Sequence, residues 1–336
     1  MRLLVTGGCG FIGSNFIRYV LDHYDPEFIT NVDALTYAGS LATTADLPLR
    51  FGDRYEFMHA DVADPEAMDR ILGAHSFYAV VNFAAESHVD RSIASPQHFV
   101  HSNVAGVAVL LDAARRHGVK RFVQVSTDEV YGPAGDHEEF TEESRMNPSS
   151  PYSASKAAAD LIVFSYFKTF GQDVVITRSS NNYGPYQHPE KLIPLVIVRA
   201  LEGHMIPIYG DGRQQRDWLY VEDNCSAIFT ALMNGRAGEI YNVASGEERA
   251  NLDVIRAILT ELGASEKLLQ HVPDRPAHDR RYGISTRKIR DELGWKPLHR
   301  LETSLAKTIR WYQQSRPWWY AAVQTVSPGR PWPNGS

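Results

Sequence analysis

Val5-Thr6-Gly7-Gly8-Cys9-Gly10-Phe11-Ile12-Gly13 decides how the rest of the chain is read. A short β-type run leads into it, and residues 14–23 beyond it carry apolar side chains at helical spacing. The glycines satisfy G-x-G-x-x-G at positions 8, 10 and 13 and G-x-x-G-x-x-G at 7, 10 and 13. A strand, a glycine turn and a helix in that order bring backbone close to a pyrophosphate and set its charge at the helix N-terminus. Glycine turns are common, so a second mark is needed. Asp33 provides it, 20 residues after Gly13 at the end of the next strand. A carboxylate there accepts hydrogen bonds from ribose hydroxyls and repels a 2′-phosphate, so the expected cofactor is NAD rather than NADP. Asp61, just past a third strand, is placed to reach the adenine.

Outward from this loop, short β-rich runs at 3–6, 28–32, 55–59, 79–83, 121–126 and 174–177 alternate with helical stretches at 14–23, 97–117 and 153–170. That rhythm predicts an α/β fold, a doubly wound parallel sheet of Rossmann type covered on both faces. After about residue 183 prolines become frequent and the elements shorten. The expected division is 1–180 for cofactor binding, 181–325 mainly a smaller C-terminal substrate-binding domain, and 326–336 a loose Pro/Gly-rich tail. Strands near 219–221 and 239–244 are candidates to rejoin the first sheet.

The 336 residues, 43% hydrophobic and 22% charged, are globular in composition and exclude collagen, coiled coil and disorder. A net charge of −6 argues against a nucleic-acid partner. Two cysteines, Cys9 and Cys225, make no disulfide framework, and no Cys/His spacing suits a metal. No apolar run is long enough for a membrane span, so a cytoplasmic location is expected. Cys9 fits the pyrophosphate loop as a small residue but brings an oxidisable thiol with it.

Tyr152-Ser153-Ala154-Ser155-Lys156 puts a phenol and an ammonium one helical turn apart on the same face. A neighbouring cation together with the positive charge of the expected nicotinamide favours phenolate and makes Tyr152 a base working closer to neutral pH. The partner segment, Ser126-Thr127-Asp128-Glu129-Val130-Tyr131-Gly132, ends a strand at the carboxyl edge of the sheet, where doubly wound folds bind ligands. A hydroxyl followed by two carboxylates is costly to bury for structure alone.

On these residues the chain resembles the extended short-chain dehydrogenase/reductases, and within them the nucleotide-sugar 4,6-dehydratases. Further motifs carry the resemblance: Asp33 to Gly39, Ala84 to Arg91, Asn181 to Tyr186 and Pro189 to Leu192. It implies an NAD-dependent lyase acting on a nucleoside-diphosphate glucose, dTDP-glucose ahead of UDP-glucose. Tyr152 takes the 4-hydroxyl proton, Thr127 holds that oxygen, Glu129 removes the C5 proton, a protonated Asp128 assists loss of the 6-hydroxyl, and Lys156 orients the nicotinamide ribose. It assigns to a tightly held, recycled NAD the residues Gly7, Gly10, Phe11, Ile12, Gly13, Asp33, Leu35, Thr36, Asp61, Val62, Phe83, Ala84, Ala85, Ser102 and Asn182, with Tyr152 and Lys156. To the substrate it assigns Ser87, Arg91, Thr127, Asn181, Lys191, Leu192, Pro207, Tyr209, Arg216, Asn251, His278, Arg281 and Tyr282. Arg216 and the Arg280/Arg281 pair would supply charge for the diphosphate. A homodimer paired through helices near 97–117 and 153–170 is expected. The competing readings are a nucleotide-sugar 4-epimerase or decarboxylase, which the acid pair speaks against, and a non-catalytic NAD-binding regulator, which has no use for the base.

Overall fold

The computed structural model describes residues 1–274 and 278–326; the tail expected at 326–336 falls, from 327 on, outside the described residues. The strands in chain order are β1 (Arg2–Thr6), β2 (Phe28–Asp33), β3 (Tyr55–His59), β4 (Ala79–Asn82), β5 (Arg121–Thr127), β6 (Val174–Ser179), β7 (Asn181–Tyr183), β8 (Ile206–Tyr209), β9 (Gln215–Tyr220), β10 (Glu239–Val243), β11 (Glu248–Ala250) and β12 (Leu269–Val272). Seven of them form one parallel sheet in the order β3-β2-β1-β4-β5-β6-β10. The chain reverses its direction of travel across the sheet between β1 and β4, and the cleft at that switch point is where such folds bind ligands.

Alternation along each strand divides the core into two layers. Leu4, Val80, Phe122 and Ile176 pack beneath the helices Pro65–Ala74, Gly106–Arg116 and Pro151–Phe170. Leu3, Val5, Val81 and Val123 face the helices Phe11–His23 and Val221–Asn234 on the other side. The remaining strands make two small sheets, β11-β9-β7 and β12-β8. These pack with helices Leu192–Leu201, Asn251–Leu262 and Leu301–Gln314 around Tyr183, Ile197, Trp218 and Tyr312.

Two differences from expectation have physical causes. Of the candidates to rejoin the large sheet, β10 pairs with β6, whereas the segment around 219–221 belongs to β9 and pairs with β7 and β11. Residue 221 already starts a helix. The single helix expected at 97–117 is broken into Pro96–Val100, a π turn His101–Ala105 and Gly106–Arg116. Asn103 in that turn is the reason. It accepts from Glu86 N (2.8 Å) and donates to Glu86 O (3.0 Å) and Ser155 Oγ (2.8 Å), which fastens the loop after β4 to the Pro151–Phe170 helix. π turns of this kind recur at functional sites.

Candidate active site

The glycines are needed where they stand. Gly7 has φ +68°, and a Cβ on it would lie 2.6 Å from Ala84 N; one on Gly13 would lie 2.5 Å from Gly7 O. Gly10, the N-cap of the Phe11–His23 helix, brings no side chain to cover the first-turn amides. Asp33 closes the far side of the loop, its two oxygens accepting from Cys9 N (2.9 Å) and Leu35 N (2.8 Å). The result is a cradle of backbone amides with a carboxylate on its flank, and it fits the diphosphate and ribose of a dinucleotide.

All but two of the residues assigned to the cofactor line one continuous cleft running from this cradle to Tyr152 and Lys156. The two outside that lining are Leu35, in a left-handed conformation with φ +53°, and Asn182, whose amide donates to Ser180 O at 2.9 Å. Asp61 lies in the cleft wall and pairs with His101 Nε2 at 2.9 Å.

Cys9 corrects an expectation. Its thiol is fully buried beside Asn31 Nδ2 (3.4 Å) and Thr44 Oγ1 (3.7 Å), and burial together with Asp33 pushes its pKa up to about 11. The thiolate is the reactive form, so burial and this upward shift both disfavour reaction at this thiol. Excess iodoacetamide at about pH 8 should leave Cys9 unlabelled in the native protein and label it after denaturation, read by peptide mass. Native labelling at the denatured rate would refute this.

The Pro151–Phe170 helix starts with Pro151 at its first position and a capping box between Ser150 and Ser153, and ends on Gly171 at φ +66°. This fixed start puts Tyr152 in the first turn and Lys156 in the second. Lys156 Nζ donates to Val125 O at 2.7 Å, at the end of β5. β5 then passes into the short helix Asp128–Tyr131, which Thr127 caps by accepting from Glu129 N at 3.2 Å. Thr127 Oγ1 also donates to Asp128 Oδ1 at 3.2 Å.

Burial controls the proton affinities here. Asp128 is 3% exposed, and desolvation, then the charge of Glu129, lift its carboxyl to about 8 against the pull of Arg216, so it is protonated at neutral pH. Desolvation lowers Lys156 to about 8, with Asp160 opposing. In the protein alone, burial, then Glu129 and Asp128, push the Tyr152 phenol well above the ordinary tyrosine value, with Thr127 pulling it back. Desolvation and the neighbouring carboxyl groups therefore favour the neutral phenol, against which the expected positive charge of the nicotinamide would favour the phenolate.

Behind Lys156 lies a pair the sequence reading missed, Asp160 with Arg178 at 2.9 Å, both nearly fully buried. Asp160 stands four residues after Lys156, a spacing that could have signalled it.

Of the residues assigned to substrate, Ser87 and Lys191 line the same cleft, and Lys191 Nζ donates to Ser87 O at 3.0 Å. Arg91 lies over the Tyr37 ring at 3.9 Å. Arg216 is buried, donates to the carbonyls of Gln215 (2.6 Å) and Asp279 (2.9 Å), and stacks on Tyr282 at 4.4 Å. Tyr282 donates in turn to Asp279 Oδ2 at 2.8 Å. Arg281 does not stand as spare charge for a diphosphate, because it is forked onto Glu248 at 2.6 and 2.7 Å. Arg280 is paired with Asp211 at 2.9 Å. Pro207 and Tyr209 lie on β8, Asn181 opens β7, and Leu192 opens the Leu192–Leu201 helix. Asn251 Oδ1 is buried without a protein partner, and His278 Nδ1 bonds Asp274 Oδ1 at 2.6 Å.

A Rossmann-type parallel sheet, a glycine cradle with Asp33, and a Tyr-x-x-x-Lys helix set against a Thr-Asp-Glu turn define an extended short-chain dehydrogenase/reductase. Within that class the chain belongs to the family described as GDP-mannose 4,6 dehydratase, whose profile matches residues 4–308. It is 47% identical to a dTDP-glucose 4,6-dehydratase of Streptomyces niveus over 325 residues, 95% of each chain. In structure it is similar to the dTDP-glucose 4,6-dehydratase DesIV of Streptomyces venezuelae, solved with NAD bound, at TM-score 0.92 and 46% identity over 96% of this chain and all of the other. A UDP-glucose 4-epimerase of Thermotoga maritima reaches TM-score 0.87 at 27% identity, over 94% of this chain and 100% of its own. The fold is thus common to both groups, and the residues at the site must distinguish them.

Proposed function

We propose that this chain is an NAD-dependent lyase that converts dTDP-glucose to dTDP-4-keto-6-deoxyglucose and water. The observation that carries the reading is Asp128, a buried carboxyl at the end of β5 that accepts from Thr127 and whose desolvation and neighbour Glu129 favour its protonated form. Neither an epimerase nor a regulator needs a proton donor there, whereas a dehydratase must protonate a departing hydroxyl. The relatives' activity and bound NAD agree with it.

When bound, NAD supplies a reversible acceptor for the sugar's C4 hydrogen, which is returned at C6. The chain's own residues do the rest. Tyr152 removes the 4-hydroxyl proton and Thr127 donates to the oxygen as it becomes a carbonyl. The carbonyl acidifies C5–H, Glu129 takes that proton, and Asp128 gives its proton to the leaving 6-hydroxyl, which departs as water. As hydrogen is returned at C6, Glu129 gives its proton back to C5, and the proton gained by Tyr152 replaces through solvent the one Asp128 gave. The two carboxyl groups divide the roles of base and acid, as expected where environments split their proton affinities. Lys156, anchored on Val125 O, holds positive charge at the nicotinamide end. The cofactor residues assigned above would hold the dinucleotide, and Arg216, stacked on Tyr282, would supply positive charge toward the sugar nucleotide. The decisive assay offers dTDP-glucose and UDP-glucose to purified protein and follows the 4-keto chromophore in alkali and the loss of water by mass. Preference for UDP-glucose would favour the alternative substrate. A C4 epimer or carbon dioxide as main product would overturn the dehydratase reading.

The working form is a homodimer paired through the helical face at 97–117 and 153–170. Val100, Leu161 and Phe170 are each more than half exposed there, an apolar surface that a two-fold pairing covers. Light scattering at micromolar concentration should give twice 37.7 kDa, and a monomeric mass would count against it. Both cysteines are buried free thiols, and among the described residues no helix is long and apolar enough to cross a membrane. A reducing cytoplasm is consistent with both.

A further inference from the structure

One wall of the cofactor cleft comes from a part of the chain outside the family's match. Trp318 lies on the helix Arg316–Val326, beyond residue 308 where the profile ends, yet it lines the cleft together with Phe11, Thr36 and Gly39. Its indole Nε1 donates to Thr43 Oγ1 at 3.2 Å, on the short helix that follows the Asp33 loop. Its ring meets Tyr186 at 5.7 Å and Trp311 at 5.1 Å, both edge-on.

The supports around Trp318 are firm. Tyr186, also in the cleft wall, adopts φ +66°, a conformation that costs a residue with a Cβ free energy and persists where its surroundings hold it. The Arg18 guanidinium lies 4.1 Å from its ring centre, and Arg18 itself is tied to Asp46 and the Thr43 carbonyl. On the other side Trp319 is 2% exposed and donates to Tyr312 O at 2.7 Å, while Tyr312 donates to Gln187 O in the cleft-lining loop. Trp318 therefore bridges from the small-sheet half of the molecule to the Asp33 side of the dinucleotide cradle.

We propose that Trp318 is a cofactor-retaining residue: its indole closes the ribose side of the cleft and must swing away from Thr43 before NAD can leave. The inference rests on the NAD reading above. A redox-neutral reaction gives no reason to exchange the cofactor between turnovers, and release during the cycle would strand an oxidised sugar. A slow exit serves such chemistry, and a rigid aromatic wall supplies one at little entropic cost.

The test compares the parent protein with Trp318→Ala and Thr43→Val. Each is purified, the NAD carried per chain is measured after denaturation, and its exit is timed by exchange against isotopically labelled NAD. Trp318→Ala should release NAD at least about tenfold faster, the scale of a lost aromatic contact plus a hydrogen bond, and should purify substoichiometric. Thr43→Val removes only the acceptor and should shift the rate in the same direction by a smaller factor. Thermal unfolding of the NAD-stripped proteins separates retention from stability, and if Trp318→Ala does not fold, Thr43→Val decides. Parental exit rates in the folded variants overturn this inference alone. A parent protein that binds no dinucleotide overturns the NAD reading together with it.

Discussion

Tyr152→Phe should reduce turnover by about 10³-fold or more while the protein still folds and still carries its dinucleotide, because the change removes one oxygen and with it the base that starts the reaction. The phenol is half-buried in the cleft wall at the start of a capped helix, so phenylalanine keeps the packing. What is lost is the acceptor for the 4-hydroxyl proton, and without it C4 cannot become a carbonyl. Every later step depends on that carbonyl, so no partial product should form. In a single turnover the variant should show neither the near-ultraviolet band of a reduced nicotinamide nor deuterium entering at C5 from heavy water. The parent's pH profile should carry the sign of the same environment. Desolvation and two carboxyl groups favour the protonated phenol in the protein alone, so its ionisation is expected to depend on the positive charge of the nicotinamide. A spectroscopic titration should find the Tyr152 phenolate only in protein loaded with oxidised NAD. Tyr152→Phe turning over within tenfold of the parent would remove Tyr152 from the role of base.

The sequence made the site legible wherever chemistry depends on neighbours along the chain. The glycine loop, Asp33, Tyr152 with Lys156, and Thr127 through Glu129 are local patterns whose geometry follows from a strand end or a helical turn, and all stand on one edge of one sheet. What was hidden depends on contacts distant in sequence. Asn103 interrupts a stretch whose apolar periodicity reads as one helix, and only its bonds to Glu86 and Ser155 explain the π turn. β9 has the composition of a buried strand but pairs with β7 and β11, because partner choice is a tertiary matter that strand propensity does not encode. Arg281 looks like spare charge until Glu248, 33 residues away, is found beside it. The acidification of Tyr152 expected from Lys156 and the nicotinamide has to work against a desolvation that no spacing reveals. Trp318 reaches the cleft from 275 residues beyond Thr43.

Asp128→Asn should separate oxidation from elimination. Asparagine keeps the size and polarity of the neutral acid but cannot give up a carboxyl proton, so loss of water should slow by about 10²- to 10⁴-fold, the usual worth of general acid catalysis. Tyr152 and Thr127 remain, so C4 oxidation should proceed and the near-ultraviolet band of a reduced nicotinamide should accumulate in a single turnover, the reverse of Tyr152→Phe. Glu129 also remains, and exchange of the C5 hydrogen with heavy water should continue on the oxidised sugar while Glu129→Gln abolishes it. The pH dependence supplies an independent sign. Asp128 donates only while protonated, so the parent's elimination rate should fall as pH rises through about 8, and this limb should disappear from the residual activity of Asp128→Asn. Stability should move with it. A carboxyl raised from 3.8 to about 8 on folding binds more proton folded than unfolded, so its stabilising effect is lost as pH climbs through that window. Asp128→Asn has no such group and should unfold at no lower temperature than the parent above about pH 8. If the variant dehydrated at the parental rate, or bound substrate without developing the reduced-nicotinamide band, Asp128 would not be the acid and the division of labour with Glu129 would fail.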